Sequence, residues 1–242
     1  MESTPAPQTS RPLHGMFNAV PPRYDLVNRI ITLGLGKRWR RLASQICLEN
    51  YPQKILDLGC GTGDLTINIA RLVEKDTEIV GLDYSQPMLE KAQKKAMRAG
   101  VAELIRFIQS DANSLPFPDA HFDCVGISFA FRNLTYKNPL ASAHFAEVKR
   151  VLKPDGRYVI VESSQPENRL IRALFHLYLR IFVAPVGIML SGNPGAYRYL
   201  AESARRFYSP SEVKDILLEA GFRDVRYRAL FFGAAGIHVA LK

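Results

Sequence analysis

The amino-acid sequence predicts an α/β fold with a doubly wound, mostly parallel sheet. Short apolar runs that are typical of strands alternate with longer amphipathic runs that are typical of helices. This alternation indicates parallel strands with helices on both faces of the sheet. The chain of 242 residues is long enough for one large domain with a full core. A glycine-rich loop at residues 59–63 joins the first predicted strand to the next helix.

Helices precede the sheet in the predicted order of elements. The spacing of apolar residues predicts a helical preamble from residue 24 to residue 45, broken near Gly34 and Gly36. The predicted strands are 54–58, 78–82, 105–109, 123–128, 157–162, 225–232 and 237–241. The predicted helices among them are 65–73, 87–99, 140–152 and 211–220. Together these runs predict a seven-stranded sheet.

Three segments depart from the plain alternation of strands and helices. Lys153-Pro154-Asp155-Gly156 predicts a turn before the fifth strand, because Pro and Gly supply the backbone angles of a turn. Residues 163–208 break the rhythm and are interpreted as a helical lid insertion. The last two strands follow each other across Gly233-Ala234-Ala235-Gly236, which predicts a closing hairpin and an antiparallel last strand.

The N-terminal segment and the cysteines indicate the domain organisation and the compartment. Residues 1–15 are rich in Pro, Ser and Thr and contain no apolar signal segment. We therefore interpret them as a flexible leader and residues 16–242 as a single domain. The three cysteines are widely spaced, which favours free thiols in a reducing cytoplasm. Their spacing does not predict a metal site.

The charge and one apolar segment limit the partners. Lys and Arg number 32 against 23 Asp and Glu, a formal charge of +9 that permits an anionic partner without choosing one. The densest basic cluster, residues 37–41, is interpreted as a solvated helix face. Residues 170–190 are apolar, but Arg172, His176 and Arg180 interrupt them, so a transmembrane helix is disfavoured. The two segments together could touch an anionic bilayer as a peripheral contact.

The glycine loop predicts its ligand through two aspartates. A dinucleotide fingerprint would place a third glycine at position 64, but that residue is Asp64. With Asp57 and Asp64 on either side, the loop would repel a pyrophosphate at the helix N-terminus. S-adenosylmethionine has no phosphate and carries a sulfonium and an ammonium group, which carboxylates stabilise. The loop therefore favours S-adenosylmethionine over NAD or FAD.

Polar groups at the ends of the next strands complete a nucleoside site. Asp83 could accept hydrogen bonds from ribose hydroxyls, and Asp111 could accept one from the adenine amine. A strand-end aspartate could instead be a helix cap, and the glycines could form a plain tight turn. The predicted cofactor contacts are Asp57, Gly59, Gly61, Thr62, Gly63, Asp83, Tyr84, Asp111, Ala112 and Ser128.

Several motifs resemble those of a known protein family. The glycine loop, GLDYS at 81–85, LPFPD at 115–119 and LKPDG at 152–156 resemble the Rossmann-like class I S-adenosylmethionine-dependent methyltransferases. More specifically, PRYDLVN at 22–28, FAFRNL at 129–134 and AYRYL at 196–200, followed by Glu202-Ser203, resemble the ubiquinone/menaquinone-biosynthesis C-methyltransferases. The resemblance runs from about residue 16 to near the C-terminus.

The resemblance implies an activity and assigns cofactor contacts to this chain. Members of that family methylate a ring carbon of a prenylated quinol. Their cofactor contacts fall on Thr62, Asp83, Asp111, Ala112 and Ser128. The chain departs from the family pattern at Ala130-Phe131, at residues 200–203 and around residues 236–238. These departures lie on the acceptor side and bear on the substrate more than on the reaction.

Methylation of a ring carbon requires a polar group beside the acceptor, because a hydroxyl must be deprotonated and the carbon must then lose a proton. Arg132 is the first catalytic candidate, since it could stabilise a phenolate, and Asn133 could bind the quinol or organise the loop. An Arg–carboxylate staple and an asparagine turn are the structural alternatives. Tyr24, Tyr197 and Tyr199 are the candidate acceptor-binding residues, although aromatic residues in helices often belong to the core.

The sequence leaves the general base and the acceptor open. Asp64 or a bound water could take the proton. A methyltransferase of a soluble phenolic or other secondary-metabolite small molecule remains an alternative, as does a catalytically silent adenosylmethionine-binding subunit. A nucleic-acid partner is disfavoured, because SFAF at 128–131 stands where nucleic-acid N-methyltransferases carry an Asn/Asp-Pro-Pro-Tyr/Phe run. A homodimer is compatible with the sequence.

Overall fold

The computed structural model describes residues 24–73 and 77–242. The helical preamble consists of α1 (Tyr24–Ile31) and α2 (Leu35–Cys47). Gly34 separates them, with a left-handed backbone at φ 73°. The predicted break therefore falls between two helices. The predicted flexible leader lies outside the described residues.

One mixed sheet forms the centre of the described structure. Its strands are β1 (Lys54–Leu58), β2 (Glu78–Asp83), β3 (Ile105–Gln109), β4 (Phe122–Ser128), β5 (Leu152–Ser163), β6 (Arg223–Leu230) and β7 (Ala235–Leu241). The seven strands follow the order β3-β2-β1-β4-β5-β7-β6. β1 pairs in parallel with β2 and β4, whereas β7 runs antiparallel to β5 and β6. The predicted doubly wound sheet and its antiparallel last strand are confirmed.

Helices cover both faces of this sheet and form the segment inserted after β5. They are α3 (Asp64–Leu72), α4 (Gln86–Ala99), α5 (Phe131–Thr135), α6 (Ala141–Val151), α7 (Arg169–Tyr178), α8 (Ala184–Ser191), α9 (Pro194–Arg205) and α10 (Pro210–Glu219). A π-helical turn, Leu179–Val183, joins α7 and α8 into one continuous stretch, Arg169–Ser191. The short α5 was not predicted, because a single helical turn leaves no apolar period to read.

β5 differs from the prediction at its start. The turn predicted at residues 153–156 lies inside the bounds of the strand. Asp155 has a left-handed backbone at φ 61°, and the register against β4 shifts between Phe122 and Cys124. The turn residues thus form a bulge-like irregularity within one long strand, because β5 pairs with β4 both before and after them.

Apolar clusters on the two faces of the sheet hold these layers together. Leu56 and Leu58 belong to one cluster and Ile55 to the other, as the alternation of strand side chains requires. A third cluster joins α1 to the inserted helices and contains Val27, Ile31, Leu179, Val183, Tyr197, Ala201 and Ala204. The Tyr178 hydroxyl also donates to the Ile31 carbonyl at 2.8 Å. α1 and the insertion are therefore packed as one unit above the sheet.

Candidate active site

A cavity of about 550 Å³ lies at the carboxyl ends of β1, β2, β3 and β4. The strand order reverses between β1 and β4, and ligands of doubly wound sheets bind at such a reversal. We call one part of the cavity the loop end, formed by residues 59–62, 82–85 and 110–113. We call the other part the helical end, lined by residues of α1, α5, α7, the π-helical turn and α9.

The glycine loop presents bare backbone to the loop end. Gly61 has φ 54°, and no atom lies within 4 Å of the position that a Cβ would take there. Its N–H donates to Asp83 Oδ2 at 2.8 Å, which fixes the loop against β2. At Gly59, a Cβ would come within 2.9 Å of the Ala130 Cβ. The loop is therefore open toward the cavity and closely packed behind it.

Asp57 and Gly63, two of the predicted cofactor contacts, lie behind the loop, and neither lines the cavity. Asp57 is fully buried, and its Oδ2 accepts hydrogen bonds from the Thr66 N–H at 2.9 Å and hydroxyl at 2.5 Å. Burial raises the pKa of Asp57 to about 7. Gly63 begins α3 with φ 79°. Both residues therefore support the loop and the start of α3, whose first N–H groups need acceptors.

The strand-end carboxylates converge on the loop end, and each also stabilises its own turn. Asp83 Oδ1 accepts from the Ser85 N–H at 2.8 Å, and burial raises the pKa of Asp83. Asp111 Oδ1 accepts from the backbone and side-chain N–H groups of Asn113, at 2.9 and 2.8 Å. A carboxylate has about four lone-pair sites, so these bonds are compatible with ligand binding. Tyr84, Ala112 and Ser128 also line the cavity.

A network of opposite charges closes the loop end on the side of α1. Lys95 Nζ contacts Asp64 Oδ1 at 2.5 Å, Asp25 Oδ2 at 3.0 Å and Thr62 Oγ1 at 3.1 Å. The Thr62 hydroxyl donates to Asp25 Oδ1 at 2.7 Å. Thr62 is therefore oriented by α1. Asp64, one of the two candidates for the general base, is ion-paired with Lys95.

Arg40 lines the cavity, although the sequence analysis placed it in a solvated basic run. Its Nε donates to Ser128 Oγ at 3.0 Å, and its Nη1 lies 3.7 Å from Asp64 Oδ2. Its guanidinium carbon is 5.0 Å from the centre of the Phe129 ring. Phe129 has a left-handed backbone at φ 57°, a conformation that is rare for bulky residues and common at functional sites. Arg40 is thus held at the junction of the two ends of the cavity.

The position of Arg40 on α2 explains its inward direction. Gly36 and Ser44 are buried on α2, one turn before and one turn after Arg40. Residues four apart lie on the same face of a helix, so Arg40 shares the buried face. Glu162 was also missed, and its signal was a carboxylate at the end of an otherwise apolar predicted strand.

Arg132 and Asn133 lie at the helical end and retain unused polar atoms. Arg132 Nη1 donates to Glu162 Oε1 at 3.1 Å and to Ser163 Oγ at 2.5 Å, and both members of the ion pair are buried. The expected Arg–carboxylate staple is therefore present. Arg132 Nε and Asn133 Oδ1 are nevertheless buried without a hydrogen-bond partner among the described residues. Because buried polar atoms are usually paired, a ligand is expected to satisfy these two.

The predicted acceptor-binding tyrosines, Tyr24, Tyr197 and Tyr199, all line the cavity. Tyr197 also belongs to the core, since it packs against Gly187, where any Cβ would overlap its ring. Burial raises the pKa of Tyr197 to about 12, and it raises the pKa values of Tyr24 and Tyr199 above the ordinary 10.0. The three phenols are therefore protonated at neutral pH and can donate hydrogen bonds, but they are not bases.

The loop end fits S-adenosylmethionine in shape and in charge. The open space above Gly61 admits a ligand against the backbone, and Asp83 is close enough to the loop to meet a ribose. Arg40 and Asp64 provide one positive and one negative group side by side. Such a pair matches the carboxylate and the ammonium of an amino-acid moiety, which a dinucleotide lacks.

Comparison with known proteins identifies relatives over nearly the whole chain. The sequence profile of the ubiE/COQ5 methyltransferase family matches residues 6–242. The chain is 43% identical to a demethylmenaquinone methyltransferase of Thermus thermophilus over 225 residues, which are 93% of this chain and 98% of the relative. It is 35% identical to the ubiquinone/menaquinone biosynthesis C-methyltransferase UbiE of Pseudomonas putida over 241 residues, which cover 100% of this chain and 93% of the relative.

A solved structure shows the same fold. A SAM-dependent methyltransferase from Aquifex aeolicus superposes with a TM-score of 0.55 over 78% of this chain and 81% of that chain, at 22% identity. The family match and the relatives confirm the predicted enzyme class and its cofactor, S-adenosylmethionine. The protein is therefore an S-adenosylmethionine-dependent methyltransferase that belongs to the ubiE/COQ5 methyltransferase family.

Proposed function

We propose that this enzyme methylates a ring carbon of a prenylated quinol in menaquinone- or ubiquinone-type biosynthesis. The names of its relatives support an acceptor of this kind. The observation that carries the proposal is that Arg132 Nε and Asn133 Oδ1, two of the five buried side-chain atoms without a partner among the described residues, lie on neighbouring residues at the helical end. A donor and an acceptor on neighbouring residues suit a ring that bears hydroxyl groups.

Arg132 is proposed to hold the quinol oxygen that becomes deprotonated. S-adenosylmethionine, when bound, supplies an electrophilic methyl group on its sulfonium. A guanidinium stabilises a phenolate through a charge-assisted hydrogen bond, and the phenolate makes the ortho and para ring carbons nucleophilic. Glu162 engages Nη1 of Arg132 and leaves Nε for the acceptor. The ion pair therefore positions the guanidinium of Arg132 and leaves it able to bind the acceptor.

The walls of the helical end are proposed to receive the ring and the prenyl chain. Apolar side chains line this end, among them Phe175, Leu179 and Val183. The protonated tyrosines can donate to quinol oxygens but cannot accept the proton that leaves the ring carbon. A water molecule is the proposed base, because Asp64 is ion-paired with Lys95 and is proposed to bind the cofactor.

Arg40 and Asp64 are proposed to bind the amino-acid end of the cofactor. Two arginines line the cavity in the described part of the chain, Arg40 and Arg132. Arg132 is bonded to Glu162, whereas the carboxylate nearest to Arg40 is 3.7 Å away. Arg40 can therefore turn to the α-carboxylate of S-adenosylmethionine, and Asp64 to its α-ammonium. The remaining predicted contacts keep their roles: Asp83 for the ribose, Asp111 and Ala112 for the adenine.

We further propose that the reaction takes place on the cytoplasmic side, at a membrane surface where a prenylated acceptor dissolves. A homodimer is a separate proposal, which the mass of the protein in solution would test. Nucleic acid is not proposed as a partner.

Turnover with methyl-labelled S-adenosylmethionine tests the proposed reaction. Demethylated quinols with short prenyl chains are compared with soluble phenols, and NMR locates the label in the product. We expect the label on a ring carbon of the quinols. Asn133→Ala should reduce turnover of the quinols, whereas Gln93→Ala, on the exposed side of α4 and away from the cavity, serves as the control.

The other outcomes have distinct meanings. Label on oxygen or nitrogen, or label only in the soluble phenols, would show that the acceptor assignment is wrong. Cofactor binding without turnover of any acceptor would indicate a catalytically silent binding subunit.

A further inference from the structure

The inserted helices carry an apolar surface that the described part of the protein leaves open. The stretch Arg169–Ser191 is long and apolar enough to cross a membrane, yet only 17% of its most apolar part is buried. Leu170, Leu174, Leu177 and Ile181 recur every three or four residues and are all exposed. They form one stripe along the helix, which we call the apolar stripe. An exposed apolar face of this length marks an interaction surface.

The opposite side of the same stretch is packed on the protein. Leu179 and Val183 are buried in the cluster that also contains Val27 of α1. The Tyr178 hydroxyl donates to the Ile31 carbonyl on the same side. Because the protein holds one side of the stretch, the helix lies along the molecular surface and presents the apolar stripe outward.

The apolar stripe continues into the entrance of the cavity. Leu33, Leu174, Phe231 and Phe232 are both exposed and part of the cavity lining, and we call them the rim. Phe232 is 75% exposed. Phe231 and Phe232 have left-handed backbones, at φ 43° and 56°, which are rare for bulky residues. The chain thus keeps two aromatic rings at the entrance of the cavity.

Basic residues border this apolar surface. Arg169 and Arg180 are exposed and lie about three helical turns apart, on one flank of the apolar stripe. Lys37, Arg38 and Arg41 are exposed on α2, which begins just after Leu33 of the rim. This arrangement places positive charge beside, and not within, the apolar surface. It is the charge pattern of an interfacial helix on anionic lipid.

We propose that the apolar stripe and the rim form a docking face for an anionic lipid bilayer, from which the acceptor enters the cavity. The inference rests on the proposed function for the prenylated acceptor. A bilayer suits this face better than a second protein because the rim opens directly into the cavity and the acceptor dissolves in lipid. The flanking arginines would reach the headgroups while the stripe enters the acyl region.

Sedimentation with lipid vesicles tests the docking face. Wild-type protein should bind vesicles of phosphatidylcholine with phosphatidylglycerol more tightly than vesicles of phosphatidylcholine alone. Leu177→Ser/Ile181→Ser should bind about a hundredfold less tightly, since each large apolar side chain kept out of the lipid changes binding by about tenfold. Met97→Ser/Leu104→Ser is the matched control, because these residues are similarly exposed but lie on α4 and before β3. It should bind like wild type.

Turnover separates docking from chemistry. Leu177 and Ile181 do not line the cavity. The double variant should therefore methylate a water-soluble short-chain quinol at the wild-type rate, but it should methylate a long-chain quinol in vesicles more slowly. If the double variant methylated both acceptors at the wild-type rate, the docking face would be wrong and the proposed function would stand. Vesicle binding as expected, without methylation of any quinol, would support the docking face and sink the proposed function.

Two further results would overturn the inference. One is wild-type protein that binds neither kind of vesicle. The other is a wild-type dimer in solution that Leu177→Ser/Ile181→Ser converts to a monomer, because the apolar stripe would then be a contact between copies of the chain.

Discussion

The loop end and the helical end of the cavity are built in different ways. At the loop end, the contacts come from short segments that directly follow strands, and many of them use backbone N–H groups, as between Gly61 and Asp83. At the helical end, side chains from separate elements meet. Arg132 of α5 contacts Glu162 at the end of β5, and Tyr178 reaches the carbonyl of Ile31, 147 residues away in the sequence.

This difference separates the loop end, whose backbone loops come with the fold, from the helical end, whose side chains are particular to the family. Backbone loops at the carboxyl edge of the sheet come with the fold, so they suit a ligand that many such enzymes share. The side chains of α5 and the inserted helices can change without altering the sheet. They suit an acceptor that is particular to the family. Substitutions at the two ends should therefore affect different measurements.

The largest effect is expected at the helical end. Arg132→Met would leave Glu162 buried without its cation, which should lower the free energy of unfolding by about 3–5 kcal/mol. It would also remove the proposed phenolate partner and reduce kcat by about 10²–10³-fold. Denaturant unfolding and steady-state kinetics check the two effects.

A second variant separates stability from catalysis at this pair. Arg132→Met/Glu162→Gln should regain stability, because the unpaired charge is gone, but not turnover. If the double variant regained both, the ion pair would be a structural staple, and the catalytic role of Arg132 would be wrong.

The next effect is expected at the loop end, on cofactor affinity. Asp83→Ala removes the proposed ribose acceptor and the bonds that fix Gly61 and Ser85. S-adenosylmethionine binding should weaken by about 2–4 kcal/mol, as measured by calorimetry. Asp119→Ala, on an exposed carboxylate, is the control and should bind normally. An unchanged affinity of the Asp83 variant would remove this residue from the site.

Arg40 lies at the junction of the two ends, and a ligand pair can isolate its role. Arg40→Gln should weaken S-adenosylhomocysteine binding by about 1.5–3 kcal/mol, because a charge-assisted hydrogen bond to the α-carboxylate is lost. Methylthioadenosine, which has neither carboxylate nor ammonium, should bind equally to wild type and variant. Arg41→Gln is the control from the exposed side of α2. Equal loss for both ligands would mean that Arg40 only supports Ser128 and Phe129.

The last prediction concerns the support beneath the glycine loop and depends on pH. Burial raises the pKa of Asp57 from 3.8 to about 7, so between these values the folded protein keeps a proton that the unfolded chain has released. The protonated Asp57 carboxyl contributes fully to the free energy of unfolding below about pH 4. This contribution falls as the pH rises toward 7, by up to about 1.4 kcal/mol per pH unit.

Asp57→Asn cannot ionise and should not show this loss. Relative to wild type, the variant should gain stability as the pH rises from about 4 to 7, as measured by urea unfolding. A stability difference that does not change with pH would contradict the buried, protonated state of Asp57.

Sequence periodicity predicted the sheet better than it predicted the site. The bounds of β1 and β3 agree with the predicted strands at 54–58 and 105–109, where short, mainly apolar runs end just before Gly59 and Ser110. The predicted start of β5 at residue 157 was wrong, because the strand pairs with β4 both before and after the turn residues. At the site, periodicity did not show that the Asp57 carboxylate accepts hydrogen bonds from the first turn of α3.

By itself, the sequence determined the order of strands and helices, the bare glycine loop and the placement of Asp83 at a strand end. These features follow from local periodicity and backbone requirements, which neighbouring residues set. Only the tertiary structure decided that Arg40 meets Ser128, 88 residues away, and that the apolar stripe stays exposed. Pairing and burial depend on which distant segments come together, and a single local pattern does not specify that.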